Sequence, residues 1–250
     1  MRERDLVGRE GLFVAEGEVV LRVLARSTRA EPVSVLIAEK RQAALAGIIE
    51  ALPPETPVYL ASQAAMDAVV GFPIHRGILA LGRRAATPSA ADLLADLPAE
   101  ALVLVLCGIA NHDNIGGLFR NAAAFGADAV LLDADCCDPL YRKAIRVSVG
   151  AALTMPFARF ARDDDPVAAL KAAGFEALAL SPRGEIRLAD LTRPSRAAVL
   201  LGAEGPGLAD DLLARSRTIA IPMATGFDSL NVATTAGIVL HHLRFAAQRS

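Results

Sequence analysis

The sequence predicts an α/β protein in which a small N-terminal α/β domain precedes a larger domain built on a parallel β-sheet. After residue 100, apolar runs of five to seven residues alternate with helical segments, a pattern typical of parallel strands buried on both faces. Before residue 84, shorter strand patterns alternate with helical ones, and a stretch rich in Ala and Pro then follows. We therefore expect domains at residues 1–84 and 101–250, joined by a linker at 85–100.

Helical and strand patterns define the elements of the first domain. Residues 12–25 have a helical period, and residues 33–38 predict a strand. A second helix is expected at 41–52, followed by short strands at 57–62 and 77–83. This mixture is typical of a small α/β domain.

Five apolar runs define the sheet of the second domain. They lie at residues 102–108, 129–133, 175–181, 197–202 and 218–223. Helical patterns begin near Asn114, Pro139, Pro166 and Gly207, and a last helix is expected from about Leu230 to Ala247. Ligands of open parallel sheets bind beyond the carboxyl ends of the strands. The first places to expect a site are therefore the loops after Leu106, Leu180, Leu201 and Met223.

The composition excludes several classes of protein. Hydrophobic residues make up 53% and charged residues 22% of the 250 residues, and the formal net charge is -2, which is ordinary for a folded globular chain. No apolar run reaches the roughly 20 residues of a membrane span, and the first residues lack the apolar stretch of a signal peptide. We therefore expect a cytoplasmic protein with no membrane partner.

The cysteines and histidines predict neither a disulfide framework nor a metal site. The three cysteines form no CxxC pair, and their odd number argues against a set of disulfides. The four histidines do not supply the spacing of zinc ligands. We expect reduced, structural thiols and no bound metal.

The segment NIGGLFRNAAAFG, residues 114–126, places one arginine in an otherwise apolar helix. Arg120 projects roughly 150° from the centre of the apolar stripe, and its side chain leans back over Gly116 and Gly117. Each glycine costs about 1 kcal/mol relative to alanine in a helix, so a bare surface beneath the guanidinium would suit a phosphate or a polar ligand. The spacing alone favours a solvated surface arginine.

The segment LLGAEGPGL, residues 200–208, follows a predicted strand and opens a helix. Its glycines allow close backbone approach or positive φ, and the helix start offers free N–H groups to a polar ligand. Neither a GxGxxG fingerprint nor a GxxxxGK[ST] loop occurs in the chain, so a dinucleotide-dependent dehydrogenase is not predicted. Glu204 is either a site residue or a helix-start charge favoured by the helix dipole.

The segment IPMATGFDSLNVATTAGIVLHHL, residues 221–243, ends a strand, forms a loop and opens the last helix. Ser229 is a natural N-cap for that helix. Asn231, just inside the predicted helix, would either supply an amide to a ligand or cap the backbone locally.

Taken in this order, the three segments resemble the signature motifs of the SpoU (TrmH) family of RNA ribose 2′-O-methyltransferases, a family of the SPOUT superfamily. The pattern N-x-G-x-x-x-R is present as Asn114, Gly116 and Arg120. The pattern G-x-E-G-x-G-L is present at residues 202–208, and I-P-M followed by S-L-N-V at 221–223 and 229–232. Three ordered motifs are a far more specific signal than any one of them.

The resemblance also covers the N-terminal part and implies details of the fold. Residues 14–24 and 71–81 are similar to the small substrate-binding domain, itself similar to a ribosomal-protein fold, that many members carry. The implied fold of residues 101–250 is a parallel α/β domain whose C-terminal segment is threaded into a trefoil knot. A homodimer is implied, with an active site that borrows from both subunits.

The resemblance implies S-adenosylmethionine as the cofactor, held by the knotted loops largely through main-chain groups. The residues that would line its pocket are Leu180, Gly202, Ile221 and Leu230. The residues that would form the polar catalytic face are Asn114, Arg120, Glu204, Ser229 and Asn231.

The implied reaction is methyl transfer to a ribose 2′-hydroxyl of structured RNA, either ribosomal or transfer RNA, with guanosine the commonest target in the family. Arg120 would fix the adjacent phosphate and polarise the hydroxyl, or would itself act as the base; physical grounds favour the phosphate role because a guanidinium normally keeps its proton. Glu204 would orient Arg120 or a loop, while the amides and Ser229 would position the ribose and the cofactor carboxylate. The alternative is a non-catalytic RNA-binding ribosome-assembly factor with the same fold, against which the intact motifs count.

Overall fold

Residues 3–70 and 76–246 are described by a computed structural model, in which the chain divides into two units with a β-sheet each. The first unit comprises Met1–Ala86 and Asp138–Thr154. The second comprises Thr87–Cys137 and Met155–Ser250.

A four-stranded mixed sheet organises the first unit. Its elements before residue 87 are α1 (Glu3–Glu10), β1 (Leu12–Glu16), α2 (Glu18–Leu24), β2 (Ala30–Ala38), α3 (Ala46–Ile49), β3 (Val58–Ala61), α4 (Gln63–Val70) and β4 (Ile78–Arg84). The strand order is β1-β4-β2-β3. Strand β4 is antiparallel to both of its neighbours, and β2 pairs with β3 in parallel.

The prediction of one helix over residues 12–25 is wrong for its first half, which forms strand β1. Buried Phe13 and Ala15 alternate with half-buried neighbours, a period of two, and Gly17 at φ 97° separates the strand from α2. The Phe13 ring lies against Gly82, where no side chain would fit. The predicted strands at 33–38, 57–62 and 77–83 are confirmed as β2, β3 and β4, whereas only Ala46–Ile49 of the second helix is α-helical. The N-terminal resemblance lies outside the described residues at positions 71–75.

A seven-stranded sheet organises the second unit. The elements of the remaining chain are α5 (Ala90–Ala95), β5 (Ala101–Leu106), α6 (His112–Ala124), β6 (Ala129–Leu132), α7 (Arg142–Val147, in the first unit), β7 (Phe157–Arg159), α8 (Pro166–Ala172), β8 (Glu176–Leu180), β9 (Ile186–Arg187), β10 (Arg196–Leu201), α9 (Asp210–Ala214), β11 (Arg217–Ala220) and α10 (Val232–His241). All pairs are parallel, in the order β7-β6-β5-β10-β8-β11-β9.

The predicted parallel sheet is therefore confirmed, and burial explains its sequence pattern. Strands β5 and β6 are buried at every position and β10 at five of its six, which requires continuous rather than alternating apolar residues. Strands β7 and β9 were not predicted, because three and two residues are too few to show a period.

The stretch expected to be a linker, residues 85–100, contains helix α5 and belongs to the second unit from Thr87 onward. Leu93 and Leu94 are buried in its core. The Arg196 guanidinium also donates hydrogen bonds of 2.6 to 3.0 Å to the carbonyl groups of Leu94, in the last turn of α5, and of Leu97 and Pro98, which follow the helix. Apolar residues within an alanine-rich stretch thus form a core helix rather than a linker with a single helical turn.

Helix α7 and its flanks, residues 138–154, complete the first unit although they follow strand β6 of the second. Asp138 forms a 2.6 Å ion pair with Arg84, and the Ser27 hydroxyl donates to the Leu153 carbonyl at 2.6 Å. Gly150, at φ 86°, packs so closely on Val23 that a Cβ atom would lie 3.0 Å from it. The first unit is therefore built from two separate stretches of chain.

Across residues 3–70 and 76–246, no helix is long and apolar enough to cross a membrane. The same residues contain no group of three or more His, Cys, Asp or Glu side chains that could hold a metal ion.

Candidate active site

The carboxyl ends of four neighbouring strands lie along one edge of the large sheet, in the order β5, β10, β8 and β11. Leu106 pairs with Leu201, and Leu180 pairs with Ile219. Three of the residues expected to hold a cofactor lie at this edge: Leu180 ends β8, Gly202 follows β10, and Ile221 follows β11. The parallel sheet thus brings them to adjacent strand ends although the sequence separates them.

Gly202 is required by the tight turn that follows β10. A Cβ atom on Gly202 would overlap the carbonyl group of Gly207 and the amide nitrogen of Leu208. The turn is closed by a bridge between Ala203 and Gly207, and the Gly207 amide donates to the Ala203 carbonyl at 3.0 Å. Backbone, not side chains, therefore packs against the end of the central strand.

Asn114 lies in the first turn of α6, which begins where the chain leaves β5. The side chain of Asn111 caps this helix by accepting a 2.8 Å hydrogen bond from the Asp113 amide. Asn114 is only 6% exposed. Buried amides normally find hydrogen-bond partners, and the partner of Asn114 is supplied by the start of α10.

Asn231 uses both ends of its amide. Its Oδ1 accepts from the backbone amides of Ala233 and Thr234 at 3.0 and 3.2 Å, which makes it the N-cap of α10. Its Nδ2 donates to Asn114 Oδ1 at 2.9 Å and to Glu204 Oε1 at 3.3 Å. Because the capping bonds require oxygen on one side, they fix the direction in which the two N–H groups point.

The structure therefore brings together one residue from each of the three sequence motifs, Asn114, Glu204 and Asn231. We call these three residues the amide-carboxylate cluster. Its members lie in the segments that follow β5, β10 and β11, at the starts of α6 and α10 and in the turn after β10. Of the two roles expected for Glu204, orienting Arg120 or orienting a loop, the contact with Asn231 at the end of the β11–α10 loop fits the second.

Ser229 and Leu230 are not part of this cluster. The prediction that Ser229 caps the last helix is wrong, because α10 begins at Val232 and Asn231 is the cap. Ser229 is exposed and makes no hydrogen bond within the described part of the chain. Leu230 is 43% exposed. Both lie in the loop that joins β11 to α10.

Arg120 is exposed on α6 and has no hydrogen bond or ion pair to residues 3–70 or 76–246. The expectation that Gly117 clears the surface beneath it is corrected by the packing of the helices. A Cβ atom on Gly117 would lie 2.8 Å from the Cβ of Ala233, so this glycine is needed where α6 crosses α10. In a single chain Arg120 does not join the cluster.

Sequence reasoning missed two residues that shape this region. The Asp133 carboxylate accepts from the amides of Gly108, Asp135 and Cys136 at 2.8 to 3.0 Å and so fixes the loops after β5 and β6. An aspartate directly after an apolar strand was the available signal. Asn121, which contacts α10 across the helix crossing, gave no local signal.

The buried cysteines supply no nucleophile. Burial, with a smaller contribution from the negative charge of Asp133, raises the pKa of Cys107 to about 12. Burial and Asp133 also raise the pKa of Cys136, whose thiol donates to the Leu106 carbonyl at 3.2 Å. Only a thiolate is strongly nucleophilic, so these two thiols are structural.

Comparison with known proteins identifies the family that the sequence matches. Residues 101–241 match the family described as SpoU rRNA Methylase. An uncharacterized tRNA/rRNA methyltransferase of Mycobacterium bovis is 39% identical over 246 residues, which cover 96% of this chain and 83% of the relative.

Solved structures share the fold. The SpoU methyltransferase AviRb from Streptomyces viridochromogenes, solved in complex with the cofactor AdoMet, matches with a TM-score of 0.79 at 22% identity, covering 97% of this chain and 92% of that one. A structure described as an RNA 2′-O ribose methyltransferase matches with a TM-score of 0.78 at 24% identity, covering 96% and 91%. At these identities the likeness shows a shared fold.

Proposed function

The chain belongs to the SpoU rRNA methylase family, and from this premise we propose that it transfers a methyl group to a ribose 2′-hydroxyl of structured RNA. The methyl donor is S-adenosylmethionine, which is bound in the AviRb structure. The target is ribosomal or transfer RNA, and guanosine is the nucleoside we expect. The observation that carries the proposal is the amide-carboxylate cluster, which joins all three motifs through hydrogen bonds.

The edge of the sheet fits a nucleoside cofactor held mainly by backbone. At Gly202 the following turn lies directly on the strand end, and the half-buried Leu180 and Ile221 leave apolar surface at the two neighbouring strand ends. We propose that these residues, with Leu230 from the loop before α10, hold S-adenosylmethionine. When bound, S-adenosylmethionine supplies a methyl group activated by its positively charged sulfur.

The amide-carboxylate cluster leaves defined groups for the RNA. Asn114 uses its oxygen to accept from Asn231, so its own Nδ2 keeps two donors for an acceptor such as a ribose oxygen. Glu204 gives one carboxylate oxygen to Asn231 and keeps the other. A donor and an acceptor side by side can orient a hydroxyl, which is both donor and acceptor.

Arg120 acts, in this proposal, on the site of a second copy of the chain. Its guanidinium is exposed and unpaired in the described part of its own chain, while the amide-carboxylate cluster contains no cation. A planar guanidinium binds phosphate through paired hydrogen bonds. We therefore assign Arg120 to the phosphate beside the target ribose, where its charge also polarises the 2′-hydroxyl. Ser229, exposed in the loop before α10, positions the same ribose.

Exposed apolar side chains near α10 support a homodimer. Phe227, Leu230, Ile238 and Phe245 are between 40% and 76% exposed. The His241 ring lies edge-to-face against Phe125 and tilted against Phe245, with ring centroids 5.7 and 5.4 Å away. An apolar, aromatic surface of this kind is typical of protein interfaces, and a two-fold interface would use it on both copies.

The small N-terminal unit is proposed to bind the RNA, as the substrate-binding domain of similar proteins would. Arg26, Arg29 and Arg83 are exposed, whereas Arg22 and Arg84 are engaged with Glu18 and Asp138. Exposed arginines that contact phosphates would make RNA binding fall steeply with salt.

The C-terminal knot is part of the same proposal. It is supported by the strand order, since β10 enters between β5 and β8 and the chain then returns to the far side of β8 as β11. Stretching single molecules tests it, because a knotted chain stops short of the contour length of its residues.

The central test is transfer of a labelled methyl group to ribosomal and transfer RNA, followed by mapping of ribose methylation. Wild type should label RNA, and Arg120→Ala should lose transfer while calorimetry still detects binding of S-adenosylmethionine. Full activity of Arg120→Ala would remove Arg120 from the mechanism. A wild-type chain that binds RNA but not S-adenosylmethionine would instead support the non-catalytic assembly factor.

The shared site is tested with mixed dimers. One subunit carries Arg120→Ala and its partner carries Glu204→Ala, each with a different purification tag. If Arg120 serves the other subunit, one of the two sites keeps both residues and about half of the activity remains. If Arg120 acts within its own chain, both sites lack a residue and the mixed dimer is inactive.

A further inference from the structure

Asn121 joins helices α6 and α10 by a contact that spans 112 residues of sequence. Its Nδ2 donates a hydrogen bond to the Ala233 carbonyl in the first turn of α10. Its side chain also lies over Gly237, where a Cβ atom would be 3.4 Å from Nδ2 and 3.6 Å from Cγ. The amide therefore fits into a gap that the absence of a side chain at Gly237 leaves open.

Asn121 belongs to a row of contacts along the helix crossing. On α6, Asn114, Gly117 and Asn121 are three and then four residues apart, so they lie on one face over two turns. Asn114 accepts from Asn231, the N-cap of α10. Gly117 packs against the Ala233 side chain, and Asn121 donates to the Ala233 carbonyl beside Gly237. The contacts follow the same order along both helices, with the amide-carboxylate cluster at one end and Asn121 at the other.

Beyond the amide-carboxylate cluster, the hydrogen bond of Asn121 is the contact in this row whose strength depends on direction. The contact between Gly117 and Ala233 sets how closely the helices approach, but apolar contact alone fixes rotation poorly. A hydrogen bond to one particular carbonyl of α10 fixes both rotation and height, because its strength depends on distance and angle. Asn231 is the N-cap of the same helix, so its amide moves with α10.

We propose that Asn121 is a positioning residue for the reaction: by holding α10 in one register against α6, it keeps the Asn231 amide between Asn114 and Glu204. The inference rests on the proposed methyl transfer and deepens it by adding a residue outside the cluster. Displacement of a catalytic group by about 1 Å can cost on the order of a hundredfold in rate, so a small rotation of α10 is sufficient for a large effect.

Asn121→Leu tests this by removing the donor while keeping a branched side chain with the same number of heavy atoms. Since the Ala233 carbonyl still accepts the bond within α10, the fold should tolerate the change. We expect kcat to fall about tenfold to a hundredfold, with KM for S-adenosylmethionine unchanged. Ser89→Ala is the control variant, because it removes a hydrogen bond between a side chain and the backbone at the start of α5, together with the bond that the Ser89 hydroxyl donates to Asp92 Oδ2. It should lower the Tm to a similar degree without lowering kcat.

A double-mutant cycle distinguishes positioning from general destabilisation. In an Asn231→Ala background the residue that Asn121 is proposed to position is gone, so Asn121→Leu should lower kcat little further. Additive losses of kcat in the double variant would overturn the inference, as would a kcat of Asn121→Leu equal to that of Ser89→Ala. If Asn121→Leu does not fold, Asn121→Ser replaces it in every comparison.

A readout without catalysis separates this inference from the proposed function. In protein labelled with ¹⁵N-asparagine, the side-chain NH₂ signal of Asn231 is identified by its loss in Asn231→Ala. That signal should shift in Asn121→Leu and stay in place in Ser89→Ala. If wild type methylates no RNA, the proposed function fails while the shift still supports the positioning role; an unmoved signal refutes the positioning role whatever the activity.

Discussion

Replacing Gly202 by alanine tests whether the turn after β10 requires glycine for lack of space rather than for the conformational freedom of its backbone. The added Cβ would come far inside 3.0 Å of backbone atoms of Gly207 and Leu208, whereas ordinary contact begins at 3.4 Å. The turn must therefore retreat by about 1 Å, because neither neighbour is a side chain that can rotate away. Overpacking of this kind costs about 1–3 kcal/mol, and the displaced turn carries Glu204 away from Asn231.

The assay is thermal unfolding with and without S-adenosylmethionine. At a concentration 100 times Kd, binding stabilises wild type by about 2.7 kcal/mol. If Gly202→Ala weakens binding about a hundredfold, the same concentration adds only about 0.4 kcal/mol. The variant should thus melt lower than wild type and respond little to the methyl donor.

Gly205→Ala is the control within the same turn. Gly205 has φ 92° and no atom within 4 Å of its Cβ position, so alanine there costs about 1–2 kcal/mol of backbone strain without a clash. It should melt lower but keep its response to S-adenosylmethionine. A Gly202→Ala protein with the wild-type Tm and the wild-type response would refute the reasoning about the turn.

Three further predictions concern the rest of the chain. Because the pKa of Cys107 is raised to about 12, iodoacetamide at pH 8 should leave this thiol unmodified until the protein unfolds, which mass spectrometry can check. The free energy of unfolding should fall as pH rises from 9, since the thiol of the unfolded chain then loses its proton first. Rapid labelling of Cys107 in the folded protein would contradict this prediction. Arg196→Met loses three hydrogen bonds to backbone carbonyls and should lower the free energy of unfolding in urea by about 1–3 kcal/mol. Arg217→Met, which breaks an exposed ion pair, should change it by less than about 1 kcal/mol; equal effects would show that the three hydrogen bonds of Arg196 stabilise the fold no more than an exposed ion pair does. In circular dichroism melts, residues 1–86 alone should unfold without a cooperative transition, and linking residues 138–154 to them should restore one. A cooperative melt of residues 1–86 alone would argue against a first unit built from two stretches of chain.

The sequence predicts the large sheet well and the small one less well, for a physical reason. Strands such as β5 are buried on both faces, and an uninterrupted apolar run of that length is typical of a buried strand. The segment LFVAE of β1 has apolar residues at four consecutive positions, which fit a helical period as readily as an alternating one. The pairing of β1 with β4, in which Phe13 lies opposite Gly82 nearly 70 residues away in sequence, decides between them.

The candidate site shows the same limit. The motifs identify Asn114, Glu204 and Asn231, but local preference cannot decide whether Ser229 or Asn231 caps α10, since both side chains are good N-caps. The choice depends on where α10 meets α6, a contact between segments more than 100 residues apart. No local pattern contains that contact, and Asn121 was missed for the same reason.

The two-stretch composition of the first unit also affects the order in which the chain can fold during synthesis. The unit needs Asp138–Thr154 for its completion, so the ribosome must make more than 60% of the protein before the N-terminal sheet has all its contacts. By then the strands β5 and β6 have already been made, although their sheet still lacks its other five strands, β7 to β11. Domains usually fold in order from the N-terminus as they are made, but here two incomplete sheets would coexist on the ribosome. Chaperones that shield exposed apolar strands should therefore matter more for this chain than for two domains joined by a single linker.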